Sequence, residues 1–505
     1  MELLKNTLRY QRQVARQTAY REESAESIVP DTLPDIARIV DTTGTAFIRD
    51  WELDADEVTV RCAVRATVLY MAEEDKKLYR IETPLSFSQR IELRGAEPGC
   101  DALCSCTLIS ADARTVNPRK VSVRVNVALT PRLYAKTEES FTTGIDDTHE
   151  CCIKTEKVGY AAVSAVSYKN FTLVEDIDIP EEVGSVNTVL RSDMTVRPVD
   201  IKLMTNRVVV KAEAEVTALC VNADGDTVRI ERGFGFTQMA DVPGVEEGLE
   251  ACVDFGLRSF ELDPALDMAG DSRYLSLSAG VMMNIEVSEN VEMNVVTDLY
   301  GTRRDSKLSM RDVVLTGTSE PHTYKAYATE HVDAAMQIKR IVDQRVQTDE
   351  AVERMPGEAS ATVGAMVSIL CEGDDGIYYN LVRRIPLVFD AGEEMPARVK
   401  TEIQSFHVMA PPSGGLDIEI SASAGAGEER AKKVAMVDAV EWGEEFPPDG
   451  YSRMSALLRR VNGDETLWEI AREYRTTVDA IVLANQISAD SVPAKGELLL
   501  IPMKK

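Results

Sequence analysis

No stretch of this chain comes near the roughly 20 consecutive apolar residues that a bilayer-spanning helix requires, which excludes a helical membrane protein. Basic residues are in deficit: 56 Lys and Arg stand against 84 Asp and Glu, a formal net charge of −28. A surface this acidic repels phosphate backbones, so nucleic acid is not an expected partner. Histidine is scarce. The four are His149, His322, His331 and His407, and no two stand at the spacing of a zinc-binding pair. The nine cysteines are an odd number without a paired framework, which reads as reduced thiols rather than a disulfide scaffold. Cys100, Cys104 and Cys106 cluster, as do His149, Cys151 and Cys152, but neither group offers a recurring four-ligand spacing, and no metal or other cofactor is expected.

Catalytic signatures are missing as well. There is no GxxxxGK[ST] phosphate loop, no HExxH and no GxSxG elbow. "RGFGF" at 232–236 is a strand with glycines, and "NADGDTV" at 222–228 lacks the ligand series of a calcium loop. These absences point to a chain that is not an enzyme. The first residues mix Glu2, Lys5, Arg9, Arg12 and Arg16 with isolated leucines. They lack the compact apolar core of a secretory signal, so a cytoplasmic location is expected. Residues 1–27 read as a basic N-terminal helix, a possible docking element.

What the sequence does contain is repetition. At roughly 100–200 residues per domain, 505 residues allow three to five domains, and 44% hydrophobic content fits globular ones. "VRCAVRATVLY" at 60–70, "VKAEAEVTALC" at 210–220 and "ATVGAMVSILC" at 361–371 are three copies of one pattern. Thr67, Thr217 and Ser368 fall in register at offsets of 150 and 151 residues, as do Leu69, Leu219 and Leu370. An acidic or Gly-rich turn follows each copy and leads to a second apolar run closing on Phe87, Phe236 or Phe389, which is a hairpin signal. Further on, "VSVRVNV" at 121–127, "LSLSAGV" at 275–281 and "LDIEISA" at 416–422 contain period-2 stretches of half-buried strands. "RIVD" stands at 38–41 and again at 340–343, with the looser "TVLRSD" between them in the second copy. A period near 150 is a tandem domain rather than a solenoid unit. The expected fold class is mainly β, with three tandem β-sandwich-like repeats at 28–160, 161–312 and 313–440.

After a linker at 441–453 that carries Pro447-Pro448 and Asp449-Gly450, the pattern changes. "ALLRRV" at 456–461 reads as a strand. "ETLWEIAREY" at 465–474 sets Leu467, Ile470, Ala471 and Tyr474 on one helix face, and Thr466 can cap it. "TTVDAIVLANQ" at 476–486 is a second helix with Val478, Ile481 and Val482 inward, and "GELLLIP" at 496–502 is a closing strand. The unit at 454–503 is therefore a small βααβ domain.

Val461, Thr466, Leu467, Trp468, Ile470 and Ala471, then Val478, Ile481, Asn485 and Ile487, then Gly496, Leu499, Ile501 and Pro502 follow the pattern of the LysM domain, which this module resembles. It departs from the pattern at Asp464-Glu465, where that family carries Gly-Asp. The resemblance implies a groove for N-acetylglucosamine chains or for a partner at Asp464, Glu465, Thr466, Asn485, Gln486 and Ile487, with Leu467, Trp468 and Ile470 in the core. Repeated β-domains ending in one LysM module, with segments such as "VPDTLPDIARIVD" at 29–41, are similar to the SipL-type spore coat morphogenesis proteins, whose repeat is the SPOCS domain. That resemblance implies a non-enzymatic scaffold on the mother-cell side of the forespore. Its implied partners are the coat basement-layer ATPase, SpoIVA, bound through the LysM domain, and other coat proteins. The alternative it leaves open is a binder of peptidoglycan or N-acetylglucosamine oligomers.

Overall fold

The computed structural model describes every residue outside 1, 96–98, 147–149, 267–269, 319–321, 335, 355–359, 391–398, 427–428, 447–454, 464, 489–490 and 504–505. Strands dominate, and they recur in one plan. The first repeat holds β1 (Leu3–Arg16), β2 (Ala19–Ile28), β3 (Ile36–Asp54), β4 (Glu57–Ala72), β5 (Leu78–Glu92), β6 (Asp101–Asn117) and β7 (Lys120–Ile145). The second holds β8 (Cys151–Asp178), β9 (Val186–Met204), β10 (Arg207–Asn222), β11 (Thr227–Asp241), β12 (Glu250–Leu266) and β13 (Ser272–Gly301). The third holds β14 (Arg304–Thr318), β15 (His322–Val332), β16 (Ile338–Glu353), β17 (Ser360–Gly373), β18 (Tyr378–Asp390), β19 (Lys400–Met409), β20 (Leu416–Ala426) and β21 (Glu429–Glu445).

In each repeat a three-stranded antiparallel meander, β3-β4-β5, β9-β10-β11 or β16-β17-β18, faces a second sheet, β2-β7-β6, β8-β13-β12 or β15-β20-β19. The period-2 segments explain why. Val121, Val123, Val125 and Val127 are fully buried, as are Leu275, Leu277, Ala279 and Val281. Leu416, Ile418, Ile420 and Ala422 are at most 1% exposed. These side chains point from the central strand of the second sheet into the gap between sheets, where the first repeat packs them on Val64, Ala66, Val68 and Tyr70. Burying each such valine or leucine contributes about 1.5–3 kcal/mol.

The expected N-terminal helix is not formed. Residues 3–16 and 19–28 are strands that pair antiparallel with β7, from Leu3↔Ile145 to Arg16↔Arg132 and from Ala19↔Leu129 to Ile28↔Lys120. Leu3, Leu4, Leu8, Tyr10 and Val14 fall on one side of a helical wheel, so the pattern is compatible with a helix, but the free edge of the long β7 supplies the hydrogen-bond partners a helix would otherwise provide internally. The register also moves one aromatic. Phe87 and Phe236 stand opposite Cys62 and Ala212, whereas Leu387 stands opposite the equivalent Val363, and Phe389 lies one alternation further on the same face.

Beyond the sandwiches, the first and last strands of each repeat run on as two-stranded ribbons: β1 with the end of β7, the start of β8 with the end of β13, and β14 with β21. The three ribbons share one apolar core. Phe141 comes from the first, Val158 and Val295 from the second, and Val313, Leu315, Val434 and Met436 from the third.

The three meanders also meet. Each first strand carries a β-bulge at the same place, at Val40, Leu190 or Val342. A bulge re-aims the adjoining side chains, and here all three bulged residues join Leu69, Leu219 and Leu370 in one cluster. The contacts run cyclically. Arg340 Nη1 of the third repeat donates to the Thr227 carbonyl of the second at 2.8 Å. Arg38 of the first donates to the Tyr378 carbonyl of the third. Leu78, Thr227 and Tyr378 hold equivalent positions on their meanders, opposite Met71, Val221 and Glu372. The third repeat therefore closes back on the first, in a single-chain ring with approximate threefold symmetry.

Candidate functional site

The C-terminal module consists of β22 (Ala456–Arg460), α1 (Leu467–Glu473), α2 (Val478–Asn485) and β23 (Leu498–Pro502). The strands pair antiparallel, Leu457 opposite Ile501 and Leu458 opposite Leu500. Alternation buries Leu499 and Ile501 against the helices and leaves Leu458 at 67%, Leu498 at 57% and Leu500 at 37% exposure on the outer face. Leu467, Ile470, Ala471 and Ile481 fill the core beside Val461.

Both helices start on a threonine cap. Thr466 Oγ1 accepts from the Glu469 amide at 3.2 Å, while the Glu469 carboxylate accepts the Thr466 amide at 2.8 Å, a reciprocal capping box. The Thr466 amide and hydroxyl hold the Glu469 carboxyl below the usual carboxylate range. Thr477 Oγ1 caps α2 by accepting from Ala480 at 3.1 Å.

The residues expected to line the groove sort as follows. Asp464 lies outside the described residues. Glu465 pairs with Arg459 at 2.9 Å and accepts the Asn462 amide at 3.1 Å. Asn485 ties the end of α2 to β23: its Nδ2 donates to the Leu500 carbonyl and its Oδ1 accepts from the Leu500 amide, both at 2.7 Å. Gln486 closes α2 in the left-handed conformation at φ 55°. Ile487 is half-buried against the module core. The side chains of Thr466 and Asn485 are thus committed to the fold itself.

A second set of residues docks the module onto the ring; of these the sequence pattern marked Trp468, but as a core position, and it is half-buried with its indole N–H turned to the second repeat. Trp468 Nε1 donates to Asp298 Oδ2 at 2.7 Å, and Arg472 pairs with the same carboxylate at 3.1 Å. Tyr300 donates its hydroxyl proton to the Thr476 carbonyl at 2.7 Å and meets the Trp468 ring edge-to-face at 4.8 Å. Burial pushes the Tyr300 phenol up, with the neighbouring Cys152 adding to it. Tyr300 and Cys152, from the end of the second ribbon, are packed with the module core, and the Arg475 guanidinium lies 3.5 Å from the centre of the Phe446 ring. The dock uses α1 and the turn after it. Among the described residues, Glu465, Thr466, Asn485, Gln486 and Ile487 make no hydrogen bond or ion pair to the repeats. No motif marks Asp298 and Tyr300, because their partners lie more than 150 residues away and nothing equivalent recurs in the other repeats.

Elsewhere, the described residues hold no group of three His, Cys, Asp or Glu placed to bind a metal. Cys104 and Cys106 lie with Cys62 in the apolar core of the first repeat, and burial raises the Cys104 thiol. His149 is outside the described residues. A depression of about 370 Å³ between the first two repeats is lined by Arg49, Asn170, Phe171, Thr172, Arg258, Ser259 and Gly280, a set without a carboxylate, imidazole or thiol. Among the described residues no helix is long and apolar enough to cross a membrane.

Comparison with known families agrees with this anatomy. The SipL SPOCS-domain model matches residues 35–116 and 185–264, and the LysM-domain model matches residues 460–502. The chain thus carries SPOCS domains of the SipL type and a C-terminal LysM domain, and neither is a catalytic domain. No curated protein and no solved structure matches the chain.

Proposed function

We propose, from this union of SipL-type SPOCS domains and a LysM module, that the chain is a non-catalytic scaffold in spore coat assembly, working on the mother-cell side of the forespore. In this reading residues 313–440 are a third, diverged SPOCS domain, supported by the shared meander, the shared bulge at Val342 and the closed ring. The ring is the rigid body, and the LysM module is the arm that binds the coat basement-layer ATPase, SpoIVA.

One observation carries the reading. The module is held to the ring through Trp468, Arg472 and Thr476, which leaves Leu458, Leu498 and Leu500 on its outer sheet face exposed. Exposed apolar faces of this kind mark protein association sites. The glycan-binding alternative draws on the LysM match itself. Against it stand the Thr466 and Asn485 side chains, already engaged in capping and in strand bonding.

The test is capture of SpoIVA from sporulating cells by the intact chain and by one lacking residues 451–505. Recovery should be lost with the module, and unchanged recovery would refute the docking role. In parallel, the intact chain is titrated with N-acetylglucosamine oligomers at millimolar concentration. Saturable shifts at Glu465, Thr466, Asn485, Gln486 and Ile487 would replace the scaffold arm with the sugar-binding reading.

A further inference from the structure

Three arginines cross the seam between the first two repeats, Arg49 and Arg65 from the first and Arg258 from the second. Each bonds a backbone carbonyl on the far side. Arg49 Nη1 donates to the Arg258 carbonyl at 2.6 Å, Arg258 Nη2 to the Arg49 carbonyl at 2.6 Å, and Arg65 Nη1 to the Phe260 carbonyl at 2.7 Å. Among the described residues none of the three makes an ion pair. A carbonyl positions a guanidinium but leaves its charge uncompensated. Asp50, beside Arg49 in the chain, is already engaged by Arg61 at 2.9 Å. Positive charge without a carboxylate partner is thus concentrated at one seam of a chain whose net charge is −28.

The sister repeats show that the fold itself does not require this. Arg49 and Arg258 are the inserted residues of two β-bulges, between Ile48 and Asp50 on β3 and between Leu257 and Ser259 on β12. A bulge re-aims a side chain, and here both arginines line the depression of about 370 Å³. The same bulges recur with Val199 on β9 and Ile109 on β6, which are 65% and 49% exposed. An apolar residue is therefore tolerated at either place. The floor of the depression differs in the same sense. In the first repeat Asn126 stands opposite Ser110 and donates to its Oγ at 2.9 Å. The equivalent pair in the second repeat is Gly280 and Ser259, so no side chain covers the floor. Among the described residues Ser259 Oγ accepts only the Gly280 amide, at 3.0 Å, which leaves its hydroxyl proton to donate.

We propose that this depression is a binding site for a phosphoryl group, held between Arg49 of the first repeat and Arg258 of the second. A carboxylate has two oxygens, which a single guanidinium fork can satisfy. A phosphoryl group has three strong acceptor oxygens, enough to engage two arginines from opposite walls together with neutral donors. Those donors are present in the Asn170 amide and the Thr172 and Ser259 hydroxyls. The volume also lies in the range of small-ligand sites, about 300–1,000 Å³, which favours a phosphate ester over the bare ion. Tyr168, two residues before Asn170 on β8, is 49% exposed and packs on Trp51 at 4.7 Å, beside the place where the body of such an ester would lie. Because the two arginines come from different repeats, the ligand would bridge the seam and bind only the closed ring, and so stabilise it.

The experiment titrates the full chain, at constant ionic strength, with glycerol 3-phosphate, inorganic phosphate and acetate, and follows the arginine Nε–H groups by NMR. Both phosphates at millimolar concentration should give saturable shifts at Arg49 and Arg258 and none at Arg61, which Asp50 and Glu52 already pair. Glycerol 3-phosphate should bind more tightly than inorganic phosphate; the reverse order would make the free ion the ligand of the same site. No saturable shift with either phosphate, or an equal response to acetate, overturns the proposal. Arg49→Val and Arg258→Ile install the residues of the sister bulges, and each should weaken binding by about 10- to 100-fold. Gly280→Asn, which restores the floor residue of the first repeat, should abolish binding while both arginines remain. Unchanged affinity in these variants also overturns the proposal. Should a variant fail to fold, the wild-type titration decides alone.

Discussion

Asp298 is a single residue on which the docking of the LysM module can be tested quantitatively. Its carboxylate accepts the Trp468 indole proton at 2.7 Å and faces Arg472 at 3.1 Å, with side-chain exposures of 26% for Asp298 and 45% for Arg472. A hydrogen bond to a charged acceptor is worth about 1.5–3 kcal/mol. An ion pair this open to solvent adds only ~0.2–1 kcal/mol. Asp298→Ala should therefore weaken the dock by about 2–3 kcal/mol, which is roughly 30- to 150-fold in the undocking equilibrium at 1.4 kcal/mol per tenfold. Asp298 Oδ1 also accepts the Leu299 amide at 2.8 Å, so Asp298→Asn is the control. Its one amide oxygen can still accept the indole proton, while the amide nitrogen replaces the oxygen that held the Leu299 amide, so it should lose the ion-pair part and that local bond and weaken the dock less than Asp298→Ala. Hydrogen exchange of the Trp468 indole and of the amides near Thr476, followed by NMR in the intact chain, reads the undocking directly. Exchange in Asp298→Ala equal to wild type would refute the dock as an energetic contact.

Two further outcomes follow from the same structure. Asn485→Ala removes both bonds to Leu500 and the bond to the Ile481 carbonyl. It should cost the module about 1–3 kcal/mol, seen as faster exchange at Leu500 and Ile501 with the repeats unaffected. His331 Nδ1 lies 2.6 Å from Asp417 Oδ1, and this bond, with Asp333 nearby, raises the imidazole pKa above its ordinary value of about 6.5. Because the folded pKa is the higher one, the pair's stabilisation is full below the unfolded pKa and is lost as pH rises through the folded one. An NMR titration should place the His331 midpoint above that of a model imidazole and move it down in Asp417→Asn.

The two ends of the chain show how differently sequence constrains structure. The LysM module is legible because its determinants are local: Thr466 caps three residues ahead, Leu467, Ile470 and Ala471 share one face, and Leu499 and Ile501 alternate with solvent-facing neighbours. The repeats are legible as alternating strands for the same reason. The N-terminal segment misled because its strand state depends on the edges of β7, from 92 residues away (Ile28 to Lys120) to 142 (Leu3 to Ile145). Of the groove positions, the capping role of Thr466 was visible in the sequence, but not the bonds by which Asn485 ties α2 to Leu500 of β23.

By itself, the sequence determined the period of about 150 residues, the two-sheet character of each repeat and the βααβ plan of the module, since all three are written in spacings of a few residues. Only the tertiary structure decided that the repeats close into a ring, that the one irregular motif puts Arg191 between two aspartates, and that Asp298 and Tyr300 receive the module. Those contacts join residues far apart in the chain, and a side chain acquires such a partner only when the sheets and their bulges bring it there.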